Sequence, residues 1–151
     1  MKTIKYFFEF IFVITSFFIF RIVGYKNASN LGEFIGKKIG PIFRSKTRIQ
    51  KNLENSNIGN SAKEREIIAK NMWGNYGRIL SEYIFIKHFR KNNLSKFLEV
   101  EGSEILNEIK ANNEQVVFIS GHFNNFELMA MEIEKAGINL CAIYRPLNNP
   151  F

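Results

Sequence analysis

The chain has 151 residues, enough for one domain with a core, and 46% of them are apolar, which excludes disorder as the default state. Lysine and arginine outnumber aspartate and glutamate 21 to 14 for a net charge of +7, so the favoured partners carry phosphate or another anion. A single cysteine, Cys141, excludes an intrachain disulfide and a cysteine-held zinc or iron–sulfur centre.

Many of the phenylalanines sit in the first twenty residues, and Tyr6 to Val23 reads YFFEFIFVITSFFIFRIV. As a helix this run reaches about 27 Å, just short of a hydrocarbon core. A membrane anchor, a cleaved signal peptide and a buried helix compete for it. Lys2 and Lys5 before an apolar run resemble a signal peptide, but no small-x-small cleavage site follows. Residues 1–26 are therefore read as an uncleaved anchor or interfacial helix. Glu9 and Arg21 lie near its ends, where long side chains reach headgroups. The larger basic excess follows it, through Arg21, Lys26 and a stretch from Lys37 to Lys51 with six bases and no acid. By the positive-inside rule the rest of the chain stays in the cytoplasm.

Residues 27–95 read as a helical region. Ser29 to Phe43 carries Gly32, Gly36 and Gly40, and this spacing opens one face to another helix or to a bilayer surface. Pro41 ends or bends that helix. Lys51 to Asn60 reads as a loop. Ser61-Ala-Lys-Glu64 is a capping box, and the long helix after it carries Ile67, Ile68, Met72, Tyr76, Ile79, Leu80, Tyr83 and Ile84 on a stripe read as core. Trp73, Gly74 and Gly77 mark a helix crossing. His88, beside Lys87 and Arg90, reads as a partner of the helix dipole rather than as a catalyst.

Residues 96–151 read as the first part of an α/β domain. Short apolar runs predict strands at Phe97–Val100, Val116–Ser120 and Ile138–Tyr144, the last holding Cys141 as a buried, inert thiol. Helices are predicted at Ser103–Ala111 and after Asn124 or Asn125, with Gly137 closing the second. Strand, helix and strand have the size of a right-handed crossover unit, so the fold class is α/β with the start of a mainly parallel sheet.

His122 and Glu127 are five apart, which makes them neighbours on neither a helix nor a strand. A turn brings them together, with His122 just past a strand and Glu127 in a first helical turn, where α/β sheets bind ligands. Such a pair suits general-base catalysis, the carboxylate holding one imidazole nitrogen protonated while the other takes a hydroxyl proton. A structural histidine and a helix-start glutamate explain the same residues.

The segment Gly121-His-Phe-Asn-Asn-Phe-Glu-Leu128 resembles the His-x4-acid motif of the lysophospholipid acyltransferase superfamily, and more narrowly that of the bacterial lipid A biosynthesis (lauroyl and myristoyl) acyltransferases, which read close to GHFGNWEL. Asn124 stands for the usual glycine and Phe126 for the tryptophan. Tyr144-Arg-Pro-Leu-Asn-Asn-Pro150 is similar to that family's YRP-x-x-NP segment, at the expected distance downstream. The resemblance covers nearly the whole chain and implies a membrane enzyme needing no metal or cofactor. It assigns His122 as base, Glu127 as its orienting carboxylate, Arg145 to a phosphate of the acceptor and Asn125 to ordering the turn in the substrate-binding set. It further implies acyl carrier protein as donor, a lipid A precursor or other phosphorylated lipid as acceptor, and the inner face of the bacterial inner membrane as location. The basic 37–51 stretch offers the acidic carrier a docking surface. Members of the family continue well past the second motif, so this chain is expected to be the front part of one. A non-catalytic membrane-surface or interaction protein is the alternative. Nucleic-acid binding ranks last, because the aromatics cluster in the anchor rather than among the bases.

Overall fold

The computed structural model describes residues 2–121 and 123–143. These form two compact units, one holding Val13–Ile84 and the other holding the remaining described residues. In chain order the helices are α1 (Lys2–Val23), α2 (Tyr25–Phe43), α3 (Lys46–Asn55), α4 (Ala62–Glu82), α5 (Ile86–Arg90), α6 (Ser103–Asn112) and α7 (Glu127–Lys135), with 3-10 turns at Tyr83–Phe85 and Ser95–Phe97.

Within α1, Thr3–Val23 is long and apolar enough to cross a membrane by length and composition, with a mean hydropathy of 2.0 and only 6% of the span buried. Phe8, Phe12, Phe18 and Ile22 all face outward. A soluble core helix would bury that stripe.

The heart of the 13–84 unit is the pairing of α2 with α4. Glycines set its closeness: a β-carbon at Gly77 would strike the Gly32 carbonyl, one at Gly36 the Trp73 carbonyl, and one at Gly40 the Trp73 indole. The every-fourth spacing thus receives another helix. Gly74 and Ser81 are buried at this seam, whereas Ile67, Tyr76, Leu80 and Tyr83 are exposed. Ile68, Met72, Ile79 and Ile84 of the same stripe are half-buried, so the apolar stripe of α4 is only partly covered and its closest contact lies elsewhere, contrary to the periodicity. Small residues on the adjoining face let the backbones meet and win the contact.

Polar side chains lace the same seam. Arg78 donates to Ser29 Oγ at 2.8 Å and to the Glu33 carboxylate, Ser29 donates to Glu82 Oε1 at 2.5 Å, and Lys37 donates to Glu33 Oε1 at 2.5 Å. The Lys37 hydrogen bond, with Arg78 adding to it, holds the Glu33 carboxyl below its ordinary value of 4.5. A depressed carboxylate pKa contributes stability that is present above the ordinary range and is lost as pH falls through the depressed value. Acidification below pH 4.5 should therefore loosen the α2–α4 pair. In Glu33→Gln the acid limb of a pH titration of the thermal midpoint should flatten.

Ser61 caps α4, its Oγ accepting from the Glu64 amide at 3.1 Å, while the Glu64 carboxylate accepts from the Asn60 amide at 2.8 Å, one residue before the position a capping box implies. Ser61→Ala should cost about 1 kcal/mol in denaturant unfolding. The stretch read as a loop at 51–60 is half helical, because Ser45 starts α3 by accepting from the Arg48 amide. The second helix begins at Tyr25 and runs two residues past Pro41.

In the other unit α5 packs on α7 around Phe85, Phe89, Met131 and Ile133. Arg90 bridges to Glu134 at 2.7 Å and Lys135 donates to Asn92 Oδ1 at 2.7 Å. His88 lies exposed in the last turn of α5, its ring 6.0 Å from that of Phe85. Gly137 closes α7 with φ +85°.

The α/β expectation fails among the described residues, which contain no strand. The runs at 97–100, 116–120 and 138–143 lack regular strand structure, and no backbone hydrogen bond joins the last two. They instead flank a cavity of about 640 Å³ lined by Val116, Val117, Ile138 and Leu140. A strand exists only through its ladder partner, and two parallel strands without covered faces are marginal. Here Val117, Ile119 and Ile143 are almost wholly exposed. Cys141 is exposed too, not buried as its apolar neighbours implied.

Candidate active site

The chain enters the candidate site through residues 114–121 and turns into α7 over Asn124, Asn125 and Phe126. Asn124 takes the left-handed conformation, φ 48°, which asparagine adopts more readily than most residues. The turn is held by Phe123 N donating to Gly121 O at 2.9 Å and Leu128 N to Asn125 O at 3.0 Å. Neither asparagine serves as the helix cap. Phe126 occupies that position, with no side-chain capping bond.

Glu127 therefore stands in the first turn of α7, where the helix dipole favours a carboxylate. It is half-buried, and its Oε2 is buried without a hydrogen-bond partner among the described residues. A carboxylate oxygen withdrawn from water costs free energy unless a donor meets it. Asn125 is half-buried in the same turn. Of the other two candidates, His122 and Arg145 lie outside the described residues. The structure thus brings Glu127 and Asn125 into one turn and leaves the histidine–glutamate distance outside its description.

Along α7 lies a feature the sequence did not announce. A cavity of about 440 Å³ is lined by Leu98, Leu106, Phe118, Leu128 and Ile133, with Glu99, Glu101 and Glu132 among them. Its size falls in the range of small-molecule pockets and its walls are mainly apolar. Leu98 and Phe118 were legible as apolar but were assigned to strands. Their place in a cavity wall depends on how the chain runs between helices. Among the described residues no cluster of histidine, cysteine and carboxylates could hold a metal.

Compared with known families, the chain matches the model of the bacterial lipid A biosynthesis acyltransferases over residues 1–151. Neither the comparison with curated proteins nor that with solved structures returns a match.

Proposed function

Since the chain belongs to the bacterial lipid A biosynthesis acyltransferase family, we propose that its own reaction is transfer of a fatty acyl group from the thioester of acyl carrier protein to a hydroxyl of a phosphorylated lipid A precursor. Membership makes it an acyltransferase of lipid A biosynthesis. The donor, the acceptor and the residue roles are this reading's additions.

In the proposed step a neutral His122 nitrogen removes the acceptor hydroxyl proton as the oxygen attacks the thioester carbonyl. Glu127 holds the other nitrogen protonated and balances the imidazolium charge. The carbon–sulfur bond then breaks, the proton passes from imidazolium to the departing thiolate, and an ester and a free thiol result. Arg145 receives an acceptor phosphate, for which the guanidinium fork is shaped, and Asn125 orders the turn. The cavity along α7 offers mainly apolar walls to the acyl chain. The chain sits on the cytoplasmic side of the inner membrane in this reading, anchored by α1, because the basic excess follows the span.

The observation that carries the proposal is Glu127: a half-buried carboxylate at a helix start, one oxygen buried without a partner among the described residues, five positions after a histidine in a family whose members transfer acyl groups. His122→Ala should abolish transfer from carrier thioester to lipid A precursor while leaving the protein in the membrane fraction. Retained transfer would remove His122 from the mechanism.

A further inference from the structure

Away from the candidate active site, α2, α3 and α4 enclose two adjoining cavities of about 250 and 420 Å³ that share Trp73, Arg44 and Ile49. Trp73 is fixed between them, because Gly40 leaves room for nothing larger than hydrogen against its indole. The charged lining is Lys37, Arg44, Lys46, Arg48 and Lys70 against the single carboxylate of Glu66. Lys46 neutralises that carboxylate at 2.6 Å, and its hydrogen bond holds the Glu66 pKa below the ordinary value. Lys37 is taken by Glu33. Arg44 and Arg48 make no ion pair among the described residues.

Apolar and aromatic side chains line the cavities together with these two arginines. Met72 and Tyr76 complete the larger cavity, with the Trp73 and Tyr76 rings 5.9 Å apart. Immediately before Arg44, at the end of α2, Ile42 is 81% exposed and Phe43 75%. Tryptophan, tyrosine and arginine lining one cleft, with exposed apolar side chains one and two positions before Arg44 in the chain, are the groups that a bilayer surface engages at its phosphate, interfacial and acyl levels. A soluble acidic protein would meet the charges but leave Ile42 and Phe43 in water.

We propose that this cleft seats the headgroup of an anionic phospholipid, with Arg44 and Arg48 on the phosphate, Trp73 and Tyr76 at the interfacial level, and Ile42 and Phe43 among the acyl chains. The site belongs to the 13–84 unit and does not rest on the acyl-transfer reading. Its occupant is bulk membrane lipid, recognised by charge and amphipathy.

Trp73 is the only tryptophan in the chain, so its emission reports on this cleft alone. The full chain is reconstituted in phosphatidylcholine vesicles containing increasing fractions of phosphatidylglycerol. Trp73 emission should shift to the blue as phosphatidylglycerol is added, and brominated-acyl phosphatidylglycerol should quench it. In Arg44→Gln/Arg48→Gln, with helix content unchanged by circular dichroism, the response should need about thirtyfold more anionic lipid, or vanish, as expected for two surface cations. The proposal is overturned if emission is indifferent to phosphatidylglycerol or if the double variant responds like the parent. It is equally overturned if glycerol phosphate, or an acidic carrier protein, produces the same shift in pure phosphatidylcholine vesicles.

Discussion

Glu127→Gln should lower acyl transfer about 10²–10⁴-fold, the range by which a positioned acid–base group accelerates proton transfer. Glutamine keeps the volume of the half-buried side chain and its place in the first turn of α7, so the change removes charge without opening a cavity. What is lost is the anion that fixes the imidazole tautomer and offsets the imidazolium forming as the hydroxyl proton moves. The pH dependence supplies an independent sign. A neighbouring carboxylate favours the charged imidazole and raises its pKa, so removing the negative charge lowers it. The acid limb of kcat/KM against pH, where rate rises as the imidazole loses its proton, should move to lower pH in Glu127→Gln. An unchanged rate with an unchanged limb would leave Glu127 as a helix-start residue and nothing more.

The second large effect is structural. Gly77→Leu should disrupt the α2–α4 pair, because even a β-carbon at this position strikes the Gly32 carbonyl, and backbone cannot swing aside as a flexible side chain does. Overpacking of a tight contact costs about 1–3 kcal/mol and sometimes more, a substantial share of the ~5–15 kcal/mol that holds a domain together. Pushing the helices apart also separates Arg78 from Ser29 and Glu33, so the polar seam fails with the apolar one. Thermal melting in detergent followed by circular dichroism should show a large loss of midpoint. Asn71→Ala, at an exposed position of the same helix, should stay within about 0.5 kcal/mol of the parent.

How far these features were legible in the sequence depended on the range of the interaction involved. The Ser61 cap and the Gly137 closure depend on residues within one turn, and both formed where read. The glycines at 32, 36 and 40 announced a close approach but not by what, since another helix and a bilayer ask for the same small face. Gly74, Gly77 and Trp73 supplied the answer only once α4 lay against α2. The stripe through Ile67, Tyr76 and Leu80 misled, because periodicity reports that a face is apolar and is silent about whether protein covers it. The sheet misled for a related reason: Val116–Ser120 and Ile138–Tyr144 have strand composition, but strand structure is a property of pairs. The asparagines of 51–60 have loop composition, and the helix through them depends on the Ser45 cap upstream. At the site, Glu127 in a first turn followed from the five-residue spacing and one intervening turn. The cavity along α7 did not, since Leu98, Leu106 and Phe118 converge from separate segments.

The central claim is acyl transfer to a lipid hydroxyl by a histidine–glutamate pair. Its most direct measurement incubates the protein with acyl carrier thioester and lipid A precursor, then weighs the lipid by mass spectrometry. The account predicts that the acceptor gains the mass of one esterified acyl chain, with free carrier thiol in equal amount, and that neither product forms with His122→Ala. Release of free fatty acid with an unmodified acceptor, or an acylated acceptor from His122→Ala at the parent rate, would contradict it.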